Sequence, residues 1–308
     1  MKNFINISDH SSSDLRAIID EAKTRKLSRK GFNKSAPDDD KPFEGKSMAM
    51  IFEKPSTRTR MSFDIAAKQL GGSSIILNPD GIHYGKGDET LKDTAKVLTE
   101  YVDIVMLRTS SHKNLEEFGK HLDIPIINGL SDKSHPCQIM SDILTYEESN
   151  GSITDKTVSW LGDGDNNMSN SLIEAAGKFK FNLKIGCPKK YAPGKKILGW
   201  AKKNKVNLLI TQKPDEAVKN SDCVMTDKWV SMNDKVNKKT KKNVLKPFQV
   251  NKNLMKKANS NAIFMHCLPV GRGEEVTDEV IDGKQSVVWR QALNRVHAQK
   301  SIIKWCLD

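Results

Sequence analysis

Long hydrophobic runs and paired cysteines are missing from this chain of 308 residues. No apolar run approaches the roughly 18 residues that a membrane-spanning helix needs, so we expect no membrane partner. The five cysteines include no C-x-x-C pair, and their number and spacing predict neither a disulfide framework nor a zinc site. The segment Met1 to Asn6 is soon followed by the polar stretch Ser8 to Ser11, so we expect no signal peptide and a cytoplasmic protein.

Aromatic residues are also scarce, at 6% of the chain, while an excess of lysine and arginine gives a net charge of +12. That charge suits nucleic acid, anionic lipid or an anionic substrate. The densest basic run, KVNKKTKK at 235–242, contains no aromatic residue, which disfavours stacking on bases. We therefore expect no nucleic-acid partner and interpret the run as a solvated, mobile loop. A nucleic-acid-binding protein is the competing class, and its affinity should fall steeply with salt.

Short apolar strands alternate with helical segments along the whole chain. This pattern predicts an α/β fold with two open parallel-sheet α/β domains, in which ligands bind beyond the carboxyl ends of the strands. A turn-rich stretch at 149–152 places the boundary between domains 1–148 and 149–289. The predicted strands are 46–52, 74–77, 103–108, 124–128, 157–161, 182–187, 206–210, 222–226 and 262–268, and the predicted helices are 61–70, 89–101, 114–121, 137–148, 167–178 and 290–305.

The stretch from Lys54 to Arg60, KPSTRTR, follows a predicted strand and precedes a predicted helix. Free backbone N–H groups and the positive end of a helix dipole favour an anion at such a turn. Hydroxyl groups and bidentate arginines add hydrogen bonds to a phosphate or carboxylate. The ordinary alternative is that Ser56 or Thr57 only caps the helix and that the arginines are solvated.

Polar side chains also follow the other predicted strands. Those in the first half are cationic or hydrogen-bond donors suited to phosphate, whereas those in the second half carry carboxylate, amide, hydroxyl and thiol groups suited to an amino acid. Each has a structural alternative when taken singly, such as a buried histidine or a loop carboxylate. The stretches are 108–109, 135–138, 163–167, 227–232 and 266–269.

Together these stretches resemble one family over essentially the whole chain, the ornithine carbamoyltransferases. S-T-R-T-R at 56–60 and H-P-C-Q at 135–138 are similar to its carbamoyl phosphate motifs, which aspartate carbamoyltransferases largely share. The discriminating motifs lie in the second half. They are D-G-D-N-N-M at 163–168, D-K-W-V-S-M at 227–232 and H-C-L-P at 266–269.

The resemblance implies two sets of binding residues. The loop around His83 is one residue longer than the family's, with histidine where glutamine is common, so its alignment is open. Asn167, Asp227, Ser231 and Met232 would bind ornithine. Carbamoyl phosphate would contact Ser56, Thr57, Arg58, Thr59, His83, Arg108, His135, Gln138, Cys267, Leu268 and Arg295.

The implied reaction transfers the carbamoyl group from carbamoyl phosphate to the side-chain amine of ornithine and gives citrulline and phosphate. Its catalytic residues would be Arg58, Arg108, His135, Asp227 and Cys267, with no metal and no cofactor. Cys267 would act through its thiol or its backbone carbonyl. The alternative within the enzyme class is a related acceptor: putrescine, a modified ornithine or aspartate. We expect the reaction to serve arginine biosynthesis, although the sequence does not distinguish a biosynthetic from a degradative direction.

The resemblance also implies an architecture and an assembly. The active site would occupy the cleft between the two domains, and the C-terminal helix, within 290–308, would return to the first domain. The chain would form a homotrimer or a multiple of trimers with shared active sites. Residues from Met232 through the lysine run would act as a lid.

Overall fold

The computed structural model describes residues 2–78, 89–230 and 237–308, which form two compact units. Unit 1 comprises Met1–Ser141 and Leu293–Asp308, and unit 2 comprises Asp142–Ala292. Both divisions fall inside helices, and the domain limits drawn at 148 and 290 stay predictions. Three predicted site residues, His83, Ser231 and Met232, lie outside the described residues.

Unit 1 contains a parallel sheet with strand order β2-β1-β3-β4. Three of its strands are almost entirely buried, which explains why they read as continuous apolar runs. The strands are β1 (Ser47–Phe52), β2 (Ser73–Leu77), β3 (Ile104–Arg108) and β4 (Ile126–Leu130), and the helices are α1 (Ser12–Ser28), α2 (Thr57–Gln69), α3 (Leu91–Tyr101), α4 (His112–Gly119) and α5 (Pro136–Asn150).

Unit 2 contains a second parallel sheet, with strand order β7-β6-β5-β8-β9. The prediction of two parallel α/β sheets is therefore confirmed. The strands are β5 (Thr157–Leu161), β6 (Asn182–Gly186), β7 (Leu208–Thr211), β8 (Cys223–Thr226) and β9 (Ile263–His266), and the helices that follow β5 are α6 (Asn167–Phe179), α7 (Lys195–Lys203), α8 (Pro214–Val218), α9 (Lys238–Leu245), α10 (Lys252–Met255), α11 (Asp278–Ile281) and α12 (Val288–Leu307). Helices α5 and α12 are each divided between the units, and the residues of α12 from Leu293 onward belong to unit 1.

Helix starts in both units coincide with side chains that accept hydrogen bonds from the first turn. Ser56 caps α2, Thr90 caps α3 and Asn166 caps α6. Each cap satisfies a backbone N–H that the helix cannot pair internally. Within the described ranges, no helix is both long enough and apolar enough to cross a bilayer.

The lysine run differs from its predicted form. The described part of it, from residue 237, caps and enters helix α9 instead of forming a solvated loop. Asn237 accepts a hydrogen bond from the backbone N–H of Thr240 at 3.1 Å. Lys241 and Leu245, four positions apart, are buried on one face of this helix. The interpretation of the run as a solvated loop was wrong for these described residues. It treated all the lysines alike and did not consider that one of them would lie on the buried face of a helix.

Each sheet has a position where the strand order reverses direction. In unit 1 the chain moves from β1 to β2 on one side and then to β3 on the other, and in unit 2 β5 is flanked by β6 and β8. Crevices at the carboxyl ends of strands at such switch points are the usual ligand sites of open α/β sheets.

Candidate functional site

The first half-site lies at the switch point of unit 1. Arg108, the last residue of β3, pairs in register with Phe52, the last residue of β1. The guanidinium is therefore carried at the same edge of the sheet as the turn that follows β1. At that turn the Ser56 hydroxyl accepts the backbone N–H of Thr59 at 3.3 Å. The ordinary capping role of Ser56 is thus present, and its own O–H remains a donor for an anion.

Thr59 connects this turn to two arginines. Its side chain is buried, with 1% of its surface exposed. Its hydroxyl oxygen accepts Arg108 Nη1 at 3.2 Å and Arg295 Nη2 at 3.3 Å. Arg295 also donates from Nη1 to the Gln138 side-chain oxygen at 2.7 Å. Two guanidinium groups from different elements therefore converge on one turn and donate to neutral oxygen atoms.

His135 belongs to the same cluster. It is buried immediately before α5. Burial holds the pKa of its imidazole well below the usual range, and the positive charges of Arg295, Arg108 and Arg58 lower that pKa further. The ring is therefore neutral near neutral pH, and it offers one N–H donor and one acceptor. The three arginines that oppose protonation of His135 also create a positive environment, and such an environment is suited to an anion.

Sequence reasoning missed Glu53, which fixes the geometry of this half-site. Its carboxylate Oε2 accepts the backbone N–H of Ser110 at 3.0 Å, and its own N–H donates to the carbonyl of Arg108 at 3.0 Å. Glu53 thereby joins the segments that follow β1 and β3. The available signal was a carboxylate directly after a buried apolar strand.

The second half-site lies at the carboxyl edge of the unit 2 sheet. Thr226 and His266 are paired at the ends of β8 and β9, so Asp227 and Cys267 follow at equivalent positions. The Cys267 thiol donates to Asp227 Oδ1, with 3.0 Å between sulfur and oxygen. Both residues are partly buried. A carboxylate in this position is suited to a substrate ammonium group.

The turn after Cys267 is held by buried polar groups. His266 Nδ1 accepts the backbone N–H of Leu268 at 2.8 Å, and its Nε2 lies 3.1 Å from Glu275 Oε1. Leu268 has a φ of 57°, and the Leu268–Pro269 peptide bond is cis. A positive φ is uncommon for leucine, and such backbone strain occurs often at functional sites.

Asn167 occupies the first position of α6, after the turn that follows β5. The preceding Asn166 caps this helix through the backbone N–H of Ser169 at 2.9 Å. Asn167 is partly buried. Its amide therefore lies at a helix N-terminus, where the dipole favours a carboxylate group of a ligand.

Among the described residues, one group of three potential metal ligands lies close together. Ligand atoms of Asp227, His266 and Cys267 are within 4.8 Å of one another. Both ring nitrogens of His266 are engaged, one by Leu268 and the other by Glu275. The Cys267 thiol is engaged by Asp227. A metal would have to replace these bonds, so the hydrogen-bonded arrangement fits this donor set better.

The structure places the described candidates in two groups. Arg58, Thr59, Arg108, His135, Gln138 and Arg295 interact with one another in unit 1, with Ser56 at the same turn. Thr57 is an exposed residue in the first turn of α2. Cys267 and Leu268, which the resemblance implied for carbamoyl phosphate, lie in unit 2 beside Asp227.

Two family models together match most of the chain. Residues 2–148 match the carbamoyl-P binding domain of aspartate/ornithine carbamoyltransferase, and residues 154–306 match its Asp/Orn binding domain. The chain belongs to the aspartate/ornithine carbamoyltransferase family. Arg58, Thr59, Arg108, His135 and Gln138 of the unit 1 cluster fall in the first of these ranges, whereas Arg295 falls in the second, as do Asp227 and Cys267.

Individual members of the family are similar over their whole length. Ornithine carbamoyltransferase of Brucella ovis is 50% identical over 308 residues, which is 100% of this chain and 96% of that protein. That of Rhizobium meliloti is 49% identical over 306 residues, 99% of this chain and 98% of that protein. The solved structure of ornithine carbamoyltransferase from Pyrococcus furiosus superimposes with a TM-score of 0.91 at 41% identity, covering 98% of this chain and 96% of that one.

Proposed function

We propose that this protein transfers the carbamoyl group of carbamoyl phosphate to the side-chain amine of L-ornithine, giving L-citrulline and phosphate. The observation that carries the proposal is the convergence of Arg108 and Arg295 on Thr59, beside a neutral His135. The names of the relatives support ornithine as the acceptor.

The arginines would stabilise the departing phosphate. Negative charge increases on phosphate oxygens as the bond to the carbonyl carbon breaks, and guanidinium groups held in place before the reaction stabilise that charge without reorganising. Arg58, Arg108 and Arg295 supply the positive charge, while Ser56, Thr57 and Thr59 supply hydroxyl or backbone donors at the N-terminus of α2.

His135 and Gln138 would act on the carbamoyl group itself. Attack on the carbonyl carbon gives a tetrahedral intermediate with charge on the carbonyl oxygen. A neutral imidazole can donate its N–H to that oxygen without adding a proton to the reaction. The Gln138 side chain, fixed by Arg295, would hold the carbamoyl amide.

Asp227 and Cys267 would receive the amino acid. An amine of the lysine type has a pKa of about 10.4, so it is mostly protonated and not nucleophilic at neutral pH. A carboxylate at Asp227 would orient ornithine through an ammonium group, and Cys267, by its thiol or by its carbonyl with that of Leu268, would assist loss of the reacting proton. Asn167, with Ser231 and Met232, would hold the rest of the amino acid.

The protein is further proposed to act in the cytoplasm in arginine biosynthesis, as a homotrimer or a multiple of trimers. All five cysteines are free, as expected in a reducing compartment. Exposed apolar side chains on α2, β2 and α3 of unit 1 support self-association, because β2 is an edge strand. They are Met61, Ile75, Ile76, Val97 and Tyr101. Sedimentation equilibrium tests the assembly, and a mass equal to the 34.5 kDa chain would exclude it.

The decisive experiment is citrulline formation from carbamoyl phosphate, measured against a panel of acceptors. Ornithine should give product, while putrescine, N-acetylornithine and aspartate should react at most weakly. Product with another acceptor alone would redirect the assignment to that acceptor. Absence of product with every acceptor would overturn the proposed function.

A further inference from the structure

Lys241 differs from the other described lysines of the 235–242 run. Its Nζ lies 2.6 Å from Asp163 Oδ2, and the two side chains are only 5% and 7% exposed. Lys238 and Lys239 are exposed, and Lys242 forms a partly exposed ion pair with Glu274. Burying an ammonium group is costly even when it is paired, so a buried ion pair is weak evidence for stability. The presence of this buried ion pair therefore needs an explanation other than stability. The best-attested role of such pairs is to hold the chain in one specific conformation.

Asp163 organises the turn between β5 and α6. Its Oδ1 accepts the backbone N–H of Asp165 at 3.0 Å. Its carbonyl accepts the indole N–H of Trp160 at 2.8 Å and the side-chain amide of Asn166 at 3.1 Å. This turn leads directly into Asn167, the predicted ornithine ligand. Movement of Asp163 would therefore be transmitted to the start of α6.

The same helix face contacts the segment that follows Asp227. Leu245 packs with Tyr191, Trp229 and Val230 in a small apolar cluster. The ammonium group of Lys241 lies 5.3 Å from the centre of the Tyr191 ring, a distance typical of a cation–π contact. The carbonyl of Tyr191 in turn accepts the N–H of Gly164 at 2.9 Å. Helix α9 is thus fastened both to the 163–167 turn and to residues 229–230.

We propose that Lys241 is a positioning residue for the amino-acid half-site: its ion pair with Asp163 sets α9 against the 163–167 turn. Asp227 and residues 229–230 precede Ser231 and Met232 in the chain, and α9 follows them. The ion pair therefore joins α9 to the turn that carries Asn167, and the packing of Leu245 against Trp229 and Val230 joins α9 to the segment that follows Asp227. This inference rests on the proposed function, because it names ornithine as the ligand affected.

The test is steady-state kinetics of Lys241→Met against both substrates. We expect the KM for ornithine to rise by about tenfold or more, while the KM for carbamoyl phosphate stays within roughly twofold, since the anion cluster belongs to unit 1. Lys241→Arg keeps the charge and should recover most of the ornithine affinity. Lys242→Met is the matched control on the adjacent position, and it should leave both KM values near those of the wild type.

A double variant separates positioning from folding. Lys241→Met leaves Asp163 buried without this partner, so the single variant is the one at risk of not folding. Lys241→Met combined with Asp163→Asn removes both charges, and it should show the same selective rise in the KM for ornithine. An unchanged KM for ornithine in the folded double variant, or equal rises in both KM values, would overturn the inference. Wild-type protein that makes no citrulline would instead overturn the proposed function.

Discussion

Arg295 donates a hydrogen bond to Gln138 across 157 positions of sequence, with 2.7 Å between Nη1 and Oε1. The same guanidinium reaches the Thr59 hydroxyl at 3.3 Å. Arg295 thus connects α12 to the starts of both α5 and α2. Because these helix starts carry the proposed phosphate and carbamoyl contacts, the last helix would complete the proposed anion half-site.

Replacing Arg295 should therefore abolish most activity. Arg295→Met keeps much of the side-chain volume but removes the charge and the donors to Gln138 and Thr59. Loss of one preorganised donor costs on the order of 3 kcal/mol of barrier, so we expect kcat/KM for carbamoyl phosphate to fall by about a hundredfold or more. Arg290→Met, at an exposed position of the same helix, should change it little. Equal activity in the two variants would remove Arg295 from the site.

Thr59 offers a second test with a conservative partner. Thr59→Val is close in shape but removes the oxygen that accepts both Arg108 and Arg295. A buried donor that loses its acceptor costs about 1–3 kcal/mol, so we expect a fall of roughly tenfold to a hundredfold in kcat/KM for carbamoyl phosphate. Thr59→Ser retains the hydroxyl and should stay within about fivefold of the wild type. If valine and serine behave alike in the citrulline assay, the hydroxyl has no role.

Much of the fold could be predicted because strands that are buried in a parallel sheet consist of nearly continuous apolar residues. Strand β1 was expected at 46–52 and lies at Ser47–Phe52, and β5 was expected and found at 157–161. Helix α1 was not predicted, since its apolar residues are interspersed with many charges. Helices α7 and α8 were also missed, the first being lysine-rich and the second only five residues long.

The sequence predicted which stretches of the chain contribute residues to the candidate site, but it did not predict which of those residues contact one another. Residues after strands are accessible to sequence reasoning, because parallel strands share one carboxyl edge. The bonds from Thr59 to Arg295 and from Lys241 to Asp163 depend on tertiary packing. Charge alone gave the wrong interpretation of Lys241, because it does not distinguish the buried lysine of a helix face from its exposed neighbours.

The hydrogen bond from Cys267 to Asp227 predicts that two substitutions of Cys267 will affect the kinetics to different degrees. Cys267→Ser retains a donor that can reach Asp227 Oδ1, whereas Cys267→Ala removes it. We expect Cys267→Ala to raise the KM for ornithine by about tenfold, and the serine variant to lie between alanine and the wild type. Normal kinetics in Cys267→Ala would exclude an essential thiol and leave its backbone carbonyl as the acting group.

Asp227 should matter more than Cys267, since its charge is the proposed partner of the ornithine ammonium. Asp227→Asn preserves the shape and one acceptor oxygen but removes the charge. Hydrogen bonds to charged groups contribute about 1.5–3 kcal/mol, so the KM for ornithine should rise by roughly tenfold to a hundredfold. Asp215→Asn, on a surface ion pair with Lys257, is the control. Isothermal titration with ornithine in the presence of phosphate gives an independent readout, and unchanged affinity in Asp227→Asn would contradict the assignment.

His297, on α12, predicts how stability depends on pH. Burial, together with the charges of Lys300, Lys26 and Arg29, lowers the pKa of its imidazole to about 3, whereas an unfolded histidine has a pKa of about 6.5. The unfolded chain therefore binds a proton that the folded chain refuses, so stability present above pH 6.5 is lost as the pH falls. His297→Gln should flatten the dependence of the unfolding free energy on pH by about 1.4 kcal/mol per unit below about pH 6. Urea unfolding of both proteins at several pH values between about pH 5 and about pH 7 measures the difference. Parallel curves would show that folding does not lower the pKa of His297.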